Sequence, residues 1–492
     1  VHDAVASREQ EQQAHVGQAP HALMAKAGLA VARLALAMAP HARCVRVWAG
    51  PGNNGGDGLV AAHHLHRAGV AVAVSLLADG ARLPPDAAWA LREAMAAGVP
   101  LAEGLPAPGG HDGLVIDALL GLGANRAPQG ELAAAIRAMN GAGAPVLAVD
   151  IPSGLHPDHG TLLGTDAVRA TATLSLITLK PGCFTGLGRD CAGQVWLETL
   201  GHAAASPTAW LAGPPTRLLR PHASHKGRFG DVAVVGGAAG MTGAAWLAAR
   251  AALAAGAGRV FCSLLDEDAP LLDGGRPELM GRRAWWRSAP AVLGATTVVC
   301  GCGGGEAVHA VLPPLLSHAQ HLVLDADALN AIAVDAALRT MLQARAARGL
   351  PTLLTPHPLE AARLLGVAAG EVQNQRLVCA QRLADETGAT VLLKGSGSIT
   401  AAPGQTPQVN PTGNGALATA GTGDVLAGWC GARWAQNPDA RPGEVAAASA
   451  WEHGHAADQW PGTAGGAPLR AADLIEAMNL RTDEAEGPQG RA

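Results

Sequence analysis

Apolar residues in the first 200 positions fall into short runs separated by amphipathic stretches of helical length. Residues 45–49 (Val-Arg-Val-Trp-Ala), 70–76, 113–116 and 145–149 read as buried strands. Residues 59–68, 85–97 and 131–139 read as the helices between them. Strands alternating with helices of this length build βαβ units around a mostly parallel sheet. Functional side chains in such sheets gather at the carboxyl ends of strands. Asn53, Asn54, Asp117 and Asp150 each fall just after a predicted strand.

Between Gly201 and Ser224 the periodicity fades into sequence rich in Ala, Pro and Gly, which places a domain boundary near residue 212. The expected domains are 1–212 and 213–492. Beyond the boundary, strands are predicted at 232–235, 259–263, 297–300, 321–324, 351–354 and 390–393. Helices are predicted at 242–255, 359–365, 371–387, 424–435 and 443–459. This is a second, larger α/β domain. After Arg481 the chain turns polar and is expected to be disordered.

Composition narrows the function classes. A formal charge of −5 with 15% charged residues leaves no basic stripe, which argues against a nucleic-acid partner. Residues 1–18 are polar without an apolar signal core, and no uncharged apolar run reaches membrane-spanning length. The eight cysteines follow no repeated spacing, and Cys300 and Cys302 read as small buried hydrophobes instead of zinc ligands. The expectation is a soluble, reduced, cytoplasmic protein without a membrane partner.

Two stretches carry candidate chemistry. Residues 414–424 end in Gly421-Thr422-Gly423-Asp424, ahead of an apolar helix. Glycines at a helix start let backbone N–H groups approach an anion, which the helix dipole also favours. An acid beside such an anion hole repels phosphate unless it has a chemical task, so Asp424 reads as a proton-transfer group in phosphate chemistry. Gly50-Pro51-Gly52-Asn53-Asn54-Gly55-Gly56-Asp57-Gly58 reads as a second glycine loop, with positive φ available to its glycines. Asp117 before Gly121 and Gly123, and Asp150 before Ser153, add oxygens from two more loops. Such a set suits a hard cation. Lys180 adds a positive charge, and an Asp and a Lys across a pocket can serve as proton donor and acceptor. In the second half, Lys394-Gly395-Ser396-Gly397-Ser398 suits a nucleotide phosphate. His357, between prolines and followed by Glu360, reads as a fixed pocket residue. Asp325 and Asp327 allow a plain helix start.

The motifs GNNGGDG, DALLGLG, DIPSG and KPGCFTG, from Gly52 through Gly186, together resemble the NAD(P)H-hydrate epimerase domain over roughly residues 15–200. The resemblance implies a Rossmann-like three-layer domain that interconverts the R and S hydrates of NADH and NADPH. It implies potassium held by Asn54, Asp117 and Ser153. Substrate contacts would come from Asn53, Asn54, Gly55, Gly56, Asp57, Gly121, Gly123, Ala124, Asn125, Arg126, Ala127 and Asp150, with Asp150 and Lys180 catalytic. Leu122 departs from the family, where threonine is usual.

The segments around Gly236-Gly237, Asp325 to Asn330, His357 to Glu360, Lys394 to Ser398 and Gly421 to Asp424 are similar to the ADP-dependent NAD(P)H-hydrate dehydratase over roughly residues 220–480. That family has a ribokinase-like α/β fold and uses ADP, with Mg2+, to drive water from the S hydrate. Carried over, Lys394, Gly395, Ser396, Gly397, Ser398 and Gly423 bind the nucleotide. Ala244, Gly303, His357 and Asp424 contact the hydrate, with Asp424 as catalytic base. Gly301-Cys302-Gly303-Gly304-Gly305 replaces the family's usual GPGLG, and Leu359 stands where glycine is usual. The leading reading is a bifunctional repair enzyme acting on NADHX and NADPHX, expected as a homo-oligomer. The alternative is a ribokinase-like small-molecule kinase with a non-catalytic N-terminal ligand-binding module. A stable phosphorylated product in place of elimination distinguishes the two.

Overall fold

The computed structural model describes residues 1–102, 113–216, 219–462 and 465–479. The tail after Arg481, expected to be disordered, lies outside the described residues. The chain divides into two compact units, Val1–Trp210 and Leu211–Ala492.

The first unit is built on a seven-stranded sheet: β1 (Val45–Ala49), β2 (Val72–Leu76), β3 (Leu101–Ala102), β4 (Leu114–Ala118), β5 (Val146–Val149), β6 (Ala172–Leu176) and β7 (Gln194–Glu198). Their order is β3-β2-β1-β4-β5-β6-β7, and every pairing is parallel. This is the doubly wound arrangement, with the chain reversing direction across the sheet between β1 and β4, where ligands bind in such folds. One apolar cluster joins the helices Ala22–Met38 and Asn53–Arg67 to the sheet. Another packs the helix Gly130–Gly141 against Trp48, Val115 and Val146. The three-layer expectation is met.

The glycine loop after β1 is corrected. Asn53 to Gly58 already form the first turns of the helix Asn53–Arg67, which was expected to begin at residue 59. None of Gly50, Gly52, Gly55, Gly56 and Gly58 has positive φ. Their absent side chains serve close packing instead. A Cβ on Gly50 would stand 1.8 Å from Leu119 O, one on Gly55 2.1 Å from Gly50 O, and one on Gly56 2.5 Å from Met24 Cε.

The polar N-terminus also folds, as the helix Ala4–His15, and lacks an apolar face to announce it. Polar contacts hold it: Ser7 Oγ lies 2.8 Å from Thr178 Oγ1, and Gln10 Oε1 accepts from Ala205 N at 3.1 Å.

The second unit carries a ten-stranded sheet: β8 (Trp210–Leu211), β9 (Asp231–Gly236), β10 (Arg259–Leu264), β11 (Met280–Gly281), β12 (Thr297–Cys300), β13 (His321–Leu324), β14 (Thr352–Leu354), β15 (Thr390–Leu393), β16 (Ile399–Ala401) and β17 (Gln408–Val409). The order is β11-β10-β9-β12-β13-β14-β15-β16-β17-β8. Pairing is parallel from β11 to β15 and antiparallel between β15, β16 and β17. Helices Thr242–Ala254, Thr422–Gln436 and Pro442–Asp458 share an apolar cluster with the central strands. The helix expected over 371–387 is two, Ala369–Asn374 and Arg376–Thr387, broken at Gln375 (φ −132°, ψ 48°).

Gly55→Ala is expected to destabilise the first unit by about 1–3 kcal/mol, because backbone and not a flexible side chain meets the added carbon. The check is the urea midpoint; an unchanged midpoint would show that the turn can open at no cost.

Candidate active sites

In the first unit, strand ends deliver the acids. Asp117 is the fourth residue of β4, one step earlier than expected, and is fully buried. Its partners are neutral: it accepts from Ser153 Oγ at 2.6 Å, Ser153 N at 2.8 Å and Leu119 N at 3.2 Å. Burial pushes its carboxyl up to about 6 despite these bonds. Asn54 is also buried, and its amide nitrogen lacks a hydrogen-bond partner. Gly121 packs against Asn54, since a Cβ there would lie 3.2 Å from Asn54 Cγ.

Asp150 follows β5 in the left-handed region (φ 66°), a conformation aspartate tolerates better than most residues. Its Oδ1 accepts from Leu176 N at 3.1 Å and from Lys180 Nζ. Lys180 is fully buried and spends its other donors on Leu176 O (2.8 Å) and Thr178 O (2.9 Å). All three ammonium hydrogens are thus used. The expectation of Asp and Lys facing one another across a pocket is corrected: they are in direct contact, and Lys180 lies behind Asp150, outside the cavity lining.

That cavity, about 740 Å³, is lined by Asn53, Asn54, Asp57, Asp150 and residues 119–129, among others. It therefore gathers Gly121, Gly123, Ala124, Asn125, Arg126 and Ala127. Gly55, Gly56, Asp117 and Ser153 do not line it. Sequence reasoning missed Arg8, Glu11 and His15, which the N-terminal helix contributes, and Asp86. Four carboxyls share this space with few cations. Burial, then the charges of Asp150, Glu11 and Asp86, push Asp57 well above the carboxylate range. Burial and Asp150 lift Glu11 to about 6.

In the second unit, the ends of β12, β13, β14 and β15 lie side by side and converge on the N-terminus of the helix Thr422–Gln436. Lys394 Nζ binds Asp325 Oδ1 at 2.6 Å, and Thr355 Oγ1 donates to the same oxygen at 2.8 Å. Burial opposes the ammonium, but Asp325 and Glu360 more than offset it and raise Lys394. A Cβ on Gly423 would stand 3.3 Å from Lys394 Nζ, so glycine there keeps the ammonium against the helix start. Gly421 takes φ 89°, and the buried ring of His453 donates from Nε2 to Thr422 O at 2.9 Å. Burial lowers His453 to about 4, so the ring stays neutral.

Asp424 occupies the first turn of that helix. Burial and the Asp325 charge raise it to about 7, against the pull of Cys302 and Lys394. Asp325 is not part of a helix start: the helix Asp327–Val334 begins two residues later, and Asp325 is buried as the partner of Lys394. Asp327 Oδ2 accepts from Gly305 N at 2.8 Å. Gly303 (φ 58°) has no room for a side chain, with Met241 O 2.6 Å and Ala244 Cβ 2.9 Å from a Cβ position. His357 caps the helix Pro358–Leu365, its Nδ1 accepting from Leu359 N at 3.1 Å while Glu360 Oε2 accepts from His357 N at 2.8 Å. The Lys394–Ser398 turn uses φ 137° at Gly395 and 65° at Gly397. Buried Arg376, which sequence reasoning missed, pins this turn by donating to Lys394 O (3.0 Å) and Gly397 O (3.4 Å). Cys302, expected as a small buried hydrophobe, is fully buried, and its Sγ lies 3.9 Å from Asp325 Oδ2.

Two family models match the chain: YjeF-related protein N-terminus over residues 20–182, and NAD(P)H-hydrate dehydratase over residues 232–479. The bifunctional NAD(P)H-hydrate repair enzyme Nnr of Escherichia coli K12 is 35% identical over 494 residues, covering 97% of this chain and 92% of that protein. The ADP-dependent (S)-NAD(P)H-hydrate dehydratase of Neisseria meningitidis serogroup B is 42% identical over 272 residues, covering 54% of this chain and 90% of that protein. A crystal structure of the ADP/ATP-dependent NAD(P)H-hydrate dehydratase from Bacillus subtilis, co-crystallised with ATP/Mg2+, matches with 30% identity and a TM-score of 0.45. It covers 53% of this chain and 91% of that one.

Proposed function

The chain belongs to the bifunctional NAD(P)H-hydrate repair enzymes, and we propose that each of its two sites carries one step of the repair. The first unit is the epimerase, exchanging the R and S hydrates of NADH and NADPH. The second is the dehydratase, which converts the S hydrate to NADH or NADPH with ADP, giving AMP and phosphate. The observation that supports the second assignment best is a carboxyl poised near neutrality, Asp424, in the first turn of a helix against which Lys394 is packed.

In the dehydratase, Lys394 and the N–H groups from Gly423 receive the β-phosphate of ADP. The turn from Lys394 through Gly395, Ser396 and Gly397 to Ser398 holds the nucleotide. Ala244, Gly303 and His357 contact the hydrate. Asp424 takes the hydroxyl proton as that oxygen attacks the β-phosphorus and AMP leaves. Phosphate then departs from the ester with its C–O electron pair, and loss of a ring proton restores the dihydropyridine. Mg2+ bound with ADP would offset phosphate charge.

In the epimerase, Asp150 gives a proton to the hydroxyl that leaves the hydrated carbon as water, pushed by the ring nitrogen. It takes a proton back from the water that adds to the opposite face, while Lys180 fixes its carboxylate from behind. Asn53, Asn54, Asp57 and residues 121–127 surround the substrate. Asn54, Asp117 and Ser153 fit a monovalent cation: their donors are hard oxygens, and the Asp117 carboxylate is buried among neutral partners. Potassium held by these residues would supply the positive charge that the hydrogen-bond partners of Asp117 lack. Gly55 and Gly56 act by packing. No described helix is long and apolar enough to cross a membrane. All eight cysteines are free, which supports a reducing, cytoplasmic setting. A homo-oligomeric state belongs to the proposal on the family resemblance alone.

Asp424→Asn is expected to lower dehydration by ~10²–10⁴-fold while epimerisation stays near wild type. The base works deprotonated, so the wild-type dehydration rate should rise with pH through about 7 and then level. ADP-dependent NADH production by the variant at the wild-type rate would remove Asp424 from the mechanism.

Replacing potassium by a bulky organic cation is expected to slow R/S exchange without affecting dehydration of pure S hydrate. Equal exchange rates in the two salts would count against the cation site.

A further inference from the structure

The dehydratase site holds a thiol, Cys302, that neither the nucleotide nor the proton transfer requires, grouped with two of the site's acids. Cys302 stands in the turn after β12, Asp325 follows β13, and Asp424 lies in the helix Thr422–Gln436. One ligand atom from each, the thiol sulfur and a carboxylate oxygen of each acid, lies within 4.8 Å of the other two. Cys302 is fully buried, with Sγ 3.9 Å from Asp325 Oδ2. Lys394 and Thr355 occupy Asp325 Oδ1, which leaves Oδ2 as the oxygen turned toward the sulfur.

The donors select the ion. Magnesium and potassium take oxygen ligands, whereas a thiolate favours zinc and its softer neighbours. Tetrahedral zinc, with sulfur at ~2.3 Å and oxygen at ~2.0–2.2 Å, needs donor atoms roughly 3.5 Å apart. The atoms here lie within 4.8 Å of one another, with the Cys302–Asp325 pair at 3.9 Å, and come from three separate elements. A fourth position remains for water. The Lys394 ammonium opposes a second cation, but a thiolate and two carboxylates outnumber it.

We propose that Cys302, Asp325 and Asp424 form a three-ligand site for a zinc-class divalent cation, and that its occupancy inhibits dehydration by engaging the Asp424 carboxylate. The metal–sulfur bond forms as the thiol proton leaves to solvent, with no change in oxidation state. The cysteine belongs to this chain's Gly301–Gly305 turn, where the family usually has proline, so the site distinguishes this protein from relatives that carry GPGLG. The inhibitory part rests on the dehydratase reading of the site; the binding part does not.

The test uses the full-length protein and two readouts. Cobalt(II) alone is titrated and read for thiolate-to-cobalt charge-transfer absorption. Zinc, buffered by a chelator, is titrated into ADP-driven dehydration of pure S hydrate. The wild type should show the absorption band and lose dehydration reversibly, with excess chelator restoring it. Cys302→Ser and Cys302→Pro should lose the band and require at least ~10-fold more zinc for half-inhibition of their own metal-free rate. The proline variant restores the residue the family usually has, so it guards against a serine variant that fails to fold. No thiolate band in the wild type would overturn the site. Equal zinc sensitivity in wild type and variants would overturn the inhibition. A protein that shows the band but never dehydrates S hydrate would fail the enzymatic reading and leave the metal site standing.

Discussion

A charge buried at the end of a parallel strand must be paired, and this constraint shapes both sites. In the first unit Asp150 after β5 is held by Lys180, which follows β6. In the second, Asp325 after β13 is held by Lys394, which follows β15. Each ammonium is buried or nearly so, where an unpaired ion would be strongly unfavourable. Each pair also leaves a neighbouring acid without a cation of its own. Asp57 in one unit and Asp424 in the other are consequently pushed above the carboxylate range by burial and by nearby negative charge. Proton-transfer chemistry near neutral pH needs such acids. In the second unit the paired charges fix the geometry and unpaired Asp424 is left for reaction, whereas in the first unit the proton transfer is assigned to Asp150, which Lys180 holds in place.

The glycines do different work in the two units. Around Asn53 they let a helix begin directly against Leu119 and Met24, so that the amides of Asn53 and Asn54 reach the cavity. Around Lys394 and Gly303 they supply positive φ, which turns the backbone back on itself at a strand end. The same residue type is read from sequence in both places, but only the structure separates close packing from backbone conformation. The first motif therefore reads as a loop in the sequence although it forms the first turns of a helix, with Asn53, Asn54 and Asp57 lining the cavity and Gly55 and Gly56 behind it.

Much of the α/β pattern was legible because central strands such as β12, β13 and β15 are short, mostly apolar runs that end at glycine, acid or lysine. What escaped notice lacked that signal. The helix Ala4–His15 is polar and held by Ser7 and Gln10, so no periodicity marks it, yet it brings Glu11 to the cavity. The helix Val308–His318 contains Pro313 and Pro314, which argue against helix in any sequence reading. Arg376 lies 18 residues from the turn it pins, and Cys302 is joined to Asp424 only through the fold. The motifs at Lys394 and Asp424 were readable because both halves of the chemistry, glycine and charged residue, are adjacent in sequence.

The central claim is that one chain completes the repair of both epimers through two sites. The most direct measurement supplies the full-length protein with a known mixture of R and S hydrates and ADP, and follows NADH absorbance to its plateau. The account expects one NADH for every hydrate supplied, one AMP per NADH, and none of this without ADP. A plateau at the initial S fraction, with R hydrate left unchanged apart from slow spontaneous exchange, would contradict it.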